Sequence, residues 1–302
     1  MQDVLVKAGC FIGIILLGFV LRRIGFFKEG DFQILSKITL KITLPAAIVV
    51  SFSQIDVDPS MLTISLIALG CGVLYITIAY LINLRSDKRQ RAFEVLNLPG
   101  YNIGLFAMPF VGGFMGAMGS VTTSLFDTGN AFVCLGGSYG IASSINDGSG
   151  FSMKRVLKAL VTSVPFMTYI VMILLNLAGL RLPEPMISFA DTIRGANTFM
   201  AMLMLGVGFK LEANRSQILQ IIKLVVVRYS VAALLACTFY FVTPFTLEIR
   251  QTLVLLAFSP IGAAVPAFTA EMKGDFGLSS AVNSICILCS IVFMTVLMLV
   301  ML

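Results

Sequence analysis

Leu96-Asn97-Leu98-Pro99-Gly100-Tyr101-Asn102-Ile103-Gly104-Leu105-Phe106-Ala107-Met108-Pro109 is the stretch on which the fold turns. It is apolar enough to be a helix in lipid, yet it carries a Pro-Gly pair near its start and a second proline ten residues on. A proline inside a helix removes one backbone donor and frees the carbonyl four residues earlier. In hydrocarbon a freed backbone group costs several kcal/mol unless it is paired, so broken helices survive there only against protein or a watery cavity. A counterpart lies in the second half of the chain: Ala257-Phe258-Ser259-Pro260-Ile261-Gly262-Ala263-Ala264-Val265-Pro266. One such break is more often a packing kink, since proline is common in membrane helices. Two, at matching places in the two halves, point to a binding site. The amides at a half-helix N-terminus carry partial positive charge and suit a carboxylate. Asn102 and Ser259, one or two turns from the breaks, add directed donors. Asn102, Pro109, Ser259, Pro260 and Pro266 are therefore the candidate substrate-binding residues.

Composition sets these stretches in a membrane. The chain has 302 residues, 58% apolar and 12% charged, which leaves too little polar surface to cover a soluble protein of that length. About 20 apolar residues span a bilayer core, so ten spans use roughly two-thirds of the chain. The six cysteines all fall in apolar runs, where cysteine packs as a small hydrophobe; the Cys286/Cys289 pair has no histidine or acid beside it and reads as packing. With no histidine in the chain, Ser-His and Cys-His nucleophiles, HExxH zinc sites and histidine proton relays are excluded. There is no phosphate-binding GxxxxGK[ST] loop. The net charge of +6 is spread in short clusters between apolar runs, a pattern of membrane topology rather than nucleic-acid binding. No metal or organic cofactor is expected.

Ten apolar spans are predicted, at about 4–22, 33–54, 61–84, 93–115, 120–143, 155–179, 187–209, 218–242, 250–271 and 278–301. The first lacks the cleavage site of a signal peptide. Basic residues follow spans 1, 3, 5, 7 and 9 (Arg22, Arg23, Lys28; Arg85, Lys88, Arg89, Arg91; Lys154, Arg155, Lys158; Lys210, Arg215, Lys223; Lys273), whereas the other side has Lys7, Arg181 and Arg250. By the positive-inside rule both termini lie outside the cytoplasm. Five spans fall on each side of about Gly150, so the halves 1–150 and 151–302 enter the membrane in opposite senses. Their first spans end in related turns, their fourth spans are broken by proline and their fifth carry Asn130 and Asn283. The expectation is an all-α membrane protein of two inverted five-helix repeats, the arrangement that places a transport site at the repeat interface.

Span 5 is the most polar. Ser124, Asp127 and Asn130 are three apart and share a face. A carboxyl at membrane depth costs roughly 2.5–3.5 kcal/mol, so Asp127 needs a partner or a wet cavity. It reads equally as a coupling-ion or proton site with Asn130 and as one end of a structural hydrogen bond. Lys37 and Lys41 are placed to snorkel, Asp191 and Arg194 to pair, and Arg228 reads as snorkelling in preference to lying deeper and attracting an anion. Gly112/Gly116 and Gly136/Gly140 have the spacing of close helix packing.

These motifs, Thr43-Leu44-Pro45-Ala46, Asn102 through Pro109, and Val265-Pro266 with Phe268 and Glu271, resemble the auxin efflux carrier family, within the wider group that contains the bile acid and sodium symporters. The resemblance runs over the whole chain, and the seven-residue Asn-to-Pro spacing is its most specific part. It implies a scaffold of spans 1, 2, 6 and 7 and a moving domain of spans 3–5 and 8–10. Spans 4 and 9 would cross at Pro109 and Pro266, with a substrate carboxylate near Asn102 and elevator-like alternating access. Plant members export an indole carboxylate, and bacterial members are associated with malonate, malate and similar acids. The short loop at about 146–154, where plant carriers have a long one, resembles the compact bacterial branch, and hence a bacterial inner-membrane permease. Sodium or a proton is the coupling ion left open, and a homodimer through the scaffold is implied. The reading from another class is a ligand-gated channel or membrane sensor for a small anion. An intramembrane hydrolase would have to pair Asp127 with Asp275. The topology is directly testable: Lys88→Cys in a cysteine-free background is expected to react with an impermeant maleimide only from the cytoplasmic side, and Arg181→Cys only from outside.

Overall fold

The computed structural model describes residues 2–28, 30–148, 151–210 and 215–301, so the junction expected at Gly150 lies outside the described residues. Among the described residues all regular structure is helical, with no strand. Helix α1 (Gln2–Arg23) leads to α2 (Asp31–Ile38), which runs through a π-turn, Thr39–Thr43, into α3 (Leu44–Ser53). The wide turn directly precedes Pro45, whose ring would clash with the carbonyl four residues back in a regular helix. Helix α4 (Thr63–Ile82) follows. The fourth predicted span is α5 (Lys88–Asn97), an irregular segment, a π-turn at Ile103–Ala107 and α6 (Met108–Phe114). The Asp87 carboxylate caps α5 by accepting from the Gln90 amide at 2.7 Å, so Lys88, Arg89 and Arg91 belong to its first turn rather than to a loop.

The fifth span consists of α7 (Gly116–Phe132), a kinked π-turn at Val133–Gly137, and α8 (Ser138–Asp147). The sixth differs from expectation. It is two helices, α9 (Met153–Thr162) and α10 (Val164–Leu177), bent by 76°. Ser163 is extended, with φ −80° and ψ 113°, and its hydroxyl accepts from the Phe166 amide, so it ends one helix and caps the next, with Pro165 in the new first turn. The seventh is likewise split at Gly195-Ala196 into α11 (Glu184–Arg194) and α12 (Asn197–Gly208). Helix α13 (Arg215–Phe241) is continuous. The ninth span comprises α14 (Leu247–Ala257), an irregular segment and α15 (Val265–Glu271), and α16 (Phe276–Met301) ends the described chain.

Among the described residues five helices are long and apolar enough to cross a membrane: Val4–Arg23, Asp31–Ser53, Pro59–Ile82, Gln217–Phe241 and Phe276–Met301, with the bent α9–α10 pair a sixth if it counts as one span. The other predicted spans are interrupted: the fourth at 98–102 and the ninth at 258–264, as the prolines predict, and also the fifth at Gly136, the sixth at Ser163 and the seventh at Gly195-Ala196. Helix α1 packs along α12, α3 along α10 and α11, α4 along α7, and α13 along α14 and α16. The tightest approaches are not at the Gly112/Gly116 spacing, since a Cβ added to Gly116 would meet nothing within 4 Å. They are at Gly206, where a Cβ would lie 2.0 Å from the Ile15 carbonyl oxygen, and at Gly129, 1.8 Å from that of Ser65. Ser65 reinforces the α4–α7 crossing by donating to the Leu125 carbonyl at 2.7 Å.

A Gly129→Ala variant is therefore expected to lose about 2 kcal/mol or more of stability by overpacking, read as a lower midpoint of thermal denaturation in detergent. Gly70→Ala, in a helix where the added methyl meets nothing within 4 Å, is expected to be neutral or stabilising by up to about 1 kcal/mol.

Candidate functional site

The two irregular segments meet. Leu98-Pro99-Gly100-Tyr101-Asn102 leaves helical geometry because Pro99 offers no amide and Gly100 takes φ +76°, a left-handed conformation that a side chain would strain. A Cβ there would also lie 2.6 Å from the Cys134 sulfur. The backbone amide of Asn102 donates to the Pro260 carbonyl at 2.8 Å, which ties the first break directly to the second.

One side chain serves both. Arg228, in the middle of α13, is 1% exposed, and its guanidinium donates to the carbonyls of Leu98 (2.6 Å), Gly100 (2.9 Å) and Ser259 (2.7 Å). It lies over the rings of Tyr75 and Tyr101, 5.4 and 5.2 Å from their centroids, and the Tyr75 hydroxyl returns a bond to the Arg228 carbonyl at 2.9 Å. Arg228 does not snorkel. No carboxylate among the described residues lies within 4 Å of it. Its counter-charge is the set of carbonyl oxygens that the proline breaks expose.

Asn130, on α7, holds the first break from the other side. Its Oδ1 accepts from the Tyr101 amide at 3.0 Å and its Nδ2 donates to the Tyr101 carbonyl at 2.9 Å. The second Nδ2 hydrogen goes to Asp127 Oδ1, also at 2.9 Å, and Asp127 Oδ2 accepts from the Tyr169 hydroxyl of α10 at 2.9 Å. Asn130 is thus fully engaged in structure.

Beside the breaks lies a cavity of about 560 Å³. Its wall takes in Asn102, Gly104, Asp127, Asn130, Tyr169, Gly262, Ala263, Pro266 and Asn283, and it runs to Arg22, Gln33 and Lys210 at the ends of α1, α2 and α12. Gly104, Gly262 and Ala263 also line it. Asn102 Nδ2 is buried without a hydrogen-bond partner, and so is Asn283 Oδ1. A buried unpaired amide costs roughly 1–3 kcal/mol, and both residues belong to the cavity lining.

Of the sequence candidates, Asn102, Asp127, Asn130 and Pro266 stand together on this wall. Ser259 and Pro260 lie one layer behind it: their carbonyls bind Arg228 and Asn102, and the Ser259 hydroxyl, fully buried, bonds to nothing. Pro109 stands apart, in the first turn of α6, where the preceding π-turn absorbs it. The breaks therefore touch at Asn102 and Pro260, not at Pro109 and Pro266. Ser124 bonds to its own helix, at the Ser120 carbonyl. Asp275 caps α16 and accepts from Gln217, which leaves it no role beside Asp127. Asp191 and Arg194 pair at 2.6 Å as expected. Lys223, read as a loop residue, sits within α13 and pairs with the fully buried Glu94 at 2.8 Å.

Of three further participants only Tyr169 went unnoticed in the sequence, where Arg228 reads as snorkelling and Asn283 as the counterpart of Asn130. Arg228 had a signal in its depth within an apolar run. Tyr169 had none. Asn283 had its symmetry with Asn130.

No family model matches the chain. Over 207 residues, 66% of this chain, it is 27% identical to a protein of Methanothermobacter thermautotrophicus described as an uncharacterized transporter, and the match spans 65% of that protein's length. With five helices able to cross a bilayer, the chain is a membrane protein similar to a transporter.

Arg228→Met removes the partner of three carbonyls at once and is expected to cost about 3 kcal/mol or more, seen as a large drop in melting temperature or failure to accumulate in the membrane. Lys41→Met, at an exposed position, is expected to stay within about 0.5 kcal/mol of the parent.

Proposed function

We propose that this chain is a secondary active transporter of small organic anions, mono- or dicarboxylates, working by elevator-like alternating access. The observation that carries the reading is the direct contact of two proline-broken helices, Asn102 amide to Pro260 carbonyl, beside a cavity whose wall includes the unpartnered Asn102 amide. In this reading Asn102 and the amides of Gly104, Gly262 and Ala263 receive the carboxylate, and Pro266 starts the half-helix that faces it. Similarity to a transporter supports it.

The helix pairings support two inverted five-span halves. The first span packs on the seventh (α1 on α12) as the second packs on the sixth (α3 on α10), which is the exchange expected when spans 1 and 2 correspond to spans 6 and 7. Those four spans are the scaffold; α4–α8 and α13–α16 are the moving domain. The likeness of motifs to the compact bacterial branch of the auxin efflux carriers agrees with this assignment, with an inner-membrane setting and with a scaffold dimer. The cavity reaches the helix ends that carry Arg22 and Lys210, the face that the positive-inside rule assigns to the cytoplasm, which in this reading corresponds to an inward-open state.

The test is uptake and counterflow of labelled malonate, malate and lactate in proteoliposomes. Saturable counterflow is expected, and Asn102→Ala is expected to raise KM about tenfold or more, the weight of one hydrogen bond to a charged group. An Asn102→Ala protein with unchanged KM and rate would remove Asn102 from the site, and single-channel currents in place of counterflow would make the protein a channel.

A further inference from the structure

Asp127 is a carboxylate on the wall of the cavity that, in the proposed function, receives a carboxylate. Two anions in one largely apolar cavity repel strongly, so occupancy requires that one charge be cancelled. A metal cation is poorly served there. Both Asp127 oxygens already accept hydrogen bonds, from Asn130 Nδ2 and from the Tyr169 hydroxyl, so donors rather than oxygen ligands surround the carboxylate. The Asn130 oxygen is taken by the Tyr101 amide and faces the Cys134 sulfur at 3.3 Å. Among the described residues no three of histidine, cysteine, aspartate and glutamate cluster to hold a metal. Each Asp127 oxygen accepts one hydrogen bond from a neutral donor, a setting that a protonated carboxyl keeps by reversing the Tyr169 bond.

We infer that Asp127 is the proton-coupling site, that it takes up a proton when the anion enters, and that the carrier is a proton–anion symporter. This rests on the carrier reading above. The proton enters from the cavity onto Asp127 Oδ2; the neutral carboxyl then donates to the Tyr169 oxygen, whose own hydrogen turns away, since a phenol both donates and accepts. On release to the opposite side the original bond reforms. Because Tyr169 stands on α10 and Asp127 on α7, the exchange reverses a hydrogen bond between the proposed scaffold and the moving domain.

The surrounding charges leave Asp127 as the group that titrates with the anion. Helices α3 and α6, packed near it, carry no ionisable side chain. Helix α4 presents Cys71 and Tyr75 towards Tyr101, α10 presents Tyr169, and Cys134 lies one turn beyond Asn130. On α14, Glu248 is exposed and Arg250 bonds the Tyr240 carbonyl; on α9, Lys154, Arg155 and Lys158 are exposed. Arg228 is committed to the break carbonyls, and Arg22 and Lys210 stand at the far end of the cavity.

The experiment uses the full chain in proteoliposomes with labelled malonate and the voltage held at zero by valinomycin and equal potassium. One proton per anion predicts about tenfold accumulation per unit of inward pH gradient and none from a sodium gradient. Asp127→Asn, uncharged at any pH, is expected to exchange label yet accumulate none, and Tyr169→Phe to accumulate with a displaced pH profile. Accumulation driven by sodium, or undiminished in Asp127→Asn, would overturn the proton site and leave the carrier intact. Should Asp127→Asn not assemble, the two wild-type gradients still decide. Absence of counterflow with malonate, malate and lactate alike would overturn the carrier reading and this inference with it.

Discussion

A single guanidinium, bonded to the carbonyls of Leu98, Gly100 and Ser259, is the constraint on which the interior of this protein depends. Unwinding a helix in hydrocarbon exposes polar backbone with no water to receive it. Here two unwound segments are placed against each other and share the remedy. The Asn102 amide takes the Pro260 carbonyl, Asn130 pairs both backbone groups of Tyr101, and Arg228 gathers the remaining carbonyls. The arginine gains as much as it gives. A buried cation without a carboxylate is costly, and the converging carbonyl dipoles with the faces of Tyr75 and Tyr101 supply the negative potential it lacks. Neither the broken helices nor the buried charge is stable without the other.

That interlock explains why irregular backbone can border a cavity. With the carbonyls of Leu98, Gly100 and Ser259 drawn back towards Arg228, the neighbouring Gly262 and Ala263 border the cavity. Asp127 is the one acidic residue among those described on the wall. Close crossings at Gly129 and Gly206 fix the flanking helices so that little of this geometry is left to adjust.

Much of the fold was legible in the sequence because hydropathy and proline placement report directly on lipid exposure and helix continuity. Each predicted span overlaps helical structure, and the segments around Pro99 and Pro260 are unwound. What was not legible depends on tertiary contact. Arg228 reads as a snorkelling residue in any window of sequence; only the neighbouring breaks reveal why it stays inside. Pro45 and Pro109 look as disruptive as Pro99, yet a π-turn ahead of each absorbs the lost bond. The 76° bend at Ser163 arises from one residue that ends a helix and caps the next, too local for a span-length window. Glycine spacing found close packing at Gly136 and Gly140 but not the closest helix crossings, since Gly129 and Gly206 owe theirs to a partner helix and not to a second glycine four residues away. The Asp127–Tyr169 bond joins residues 42 apart in the chain, and nothing local announces it.

The central claim, that the two breaks are in contact, is most directly tested by cross-linking. Backbone groups joined by one hydrogen bond bring their Cα atoms within the roughly 4.4–6.8 Å that a disulfide spans. In a background freed of native cysteines, Asn102→Cys with Pro260→Cys is expected to form an intramolecular disulfide in native membranes on mild oxidation, resolved by mass spectrometry of the linked peptides. Persistence of both thiols, free and each reactive towards maleimide after oxidation, would contradict the contact.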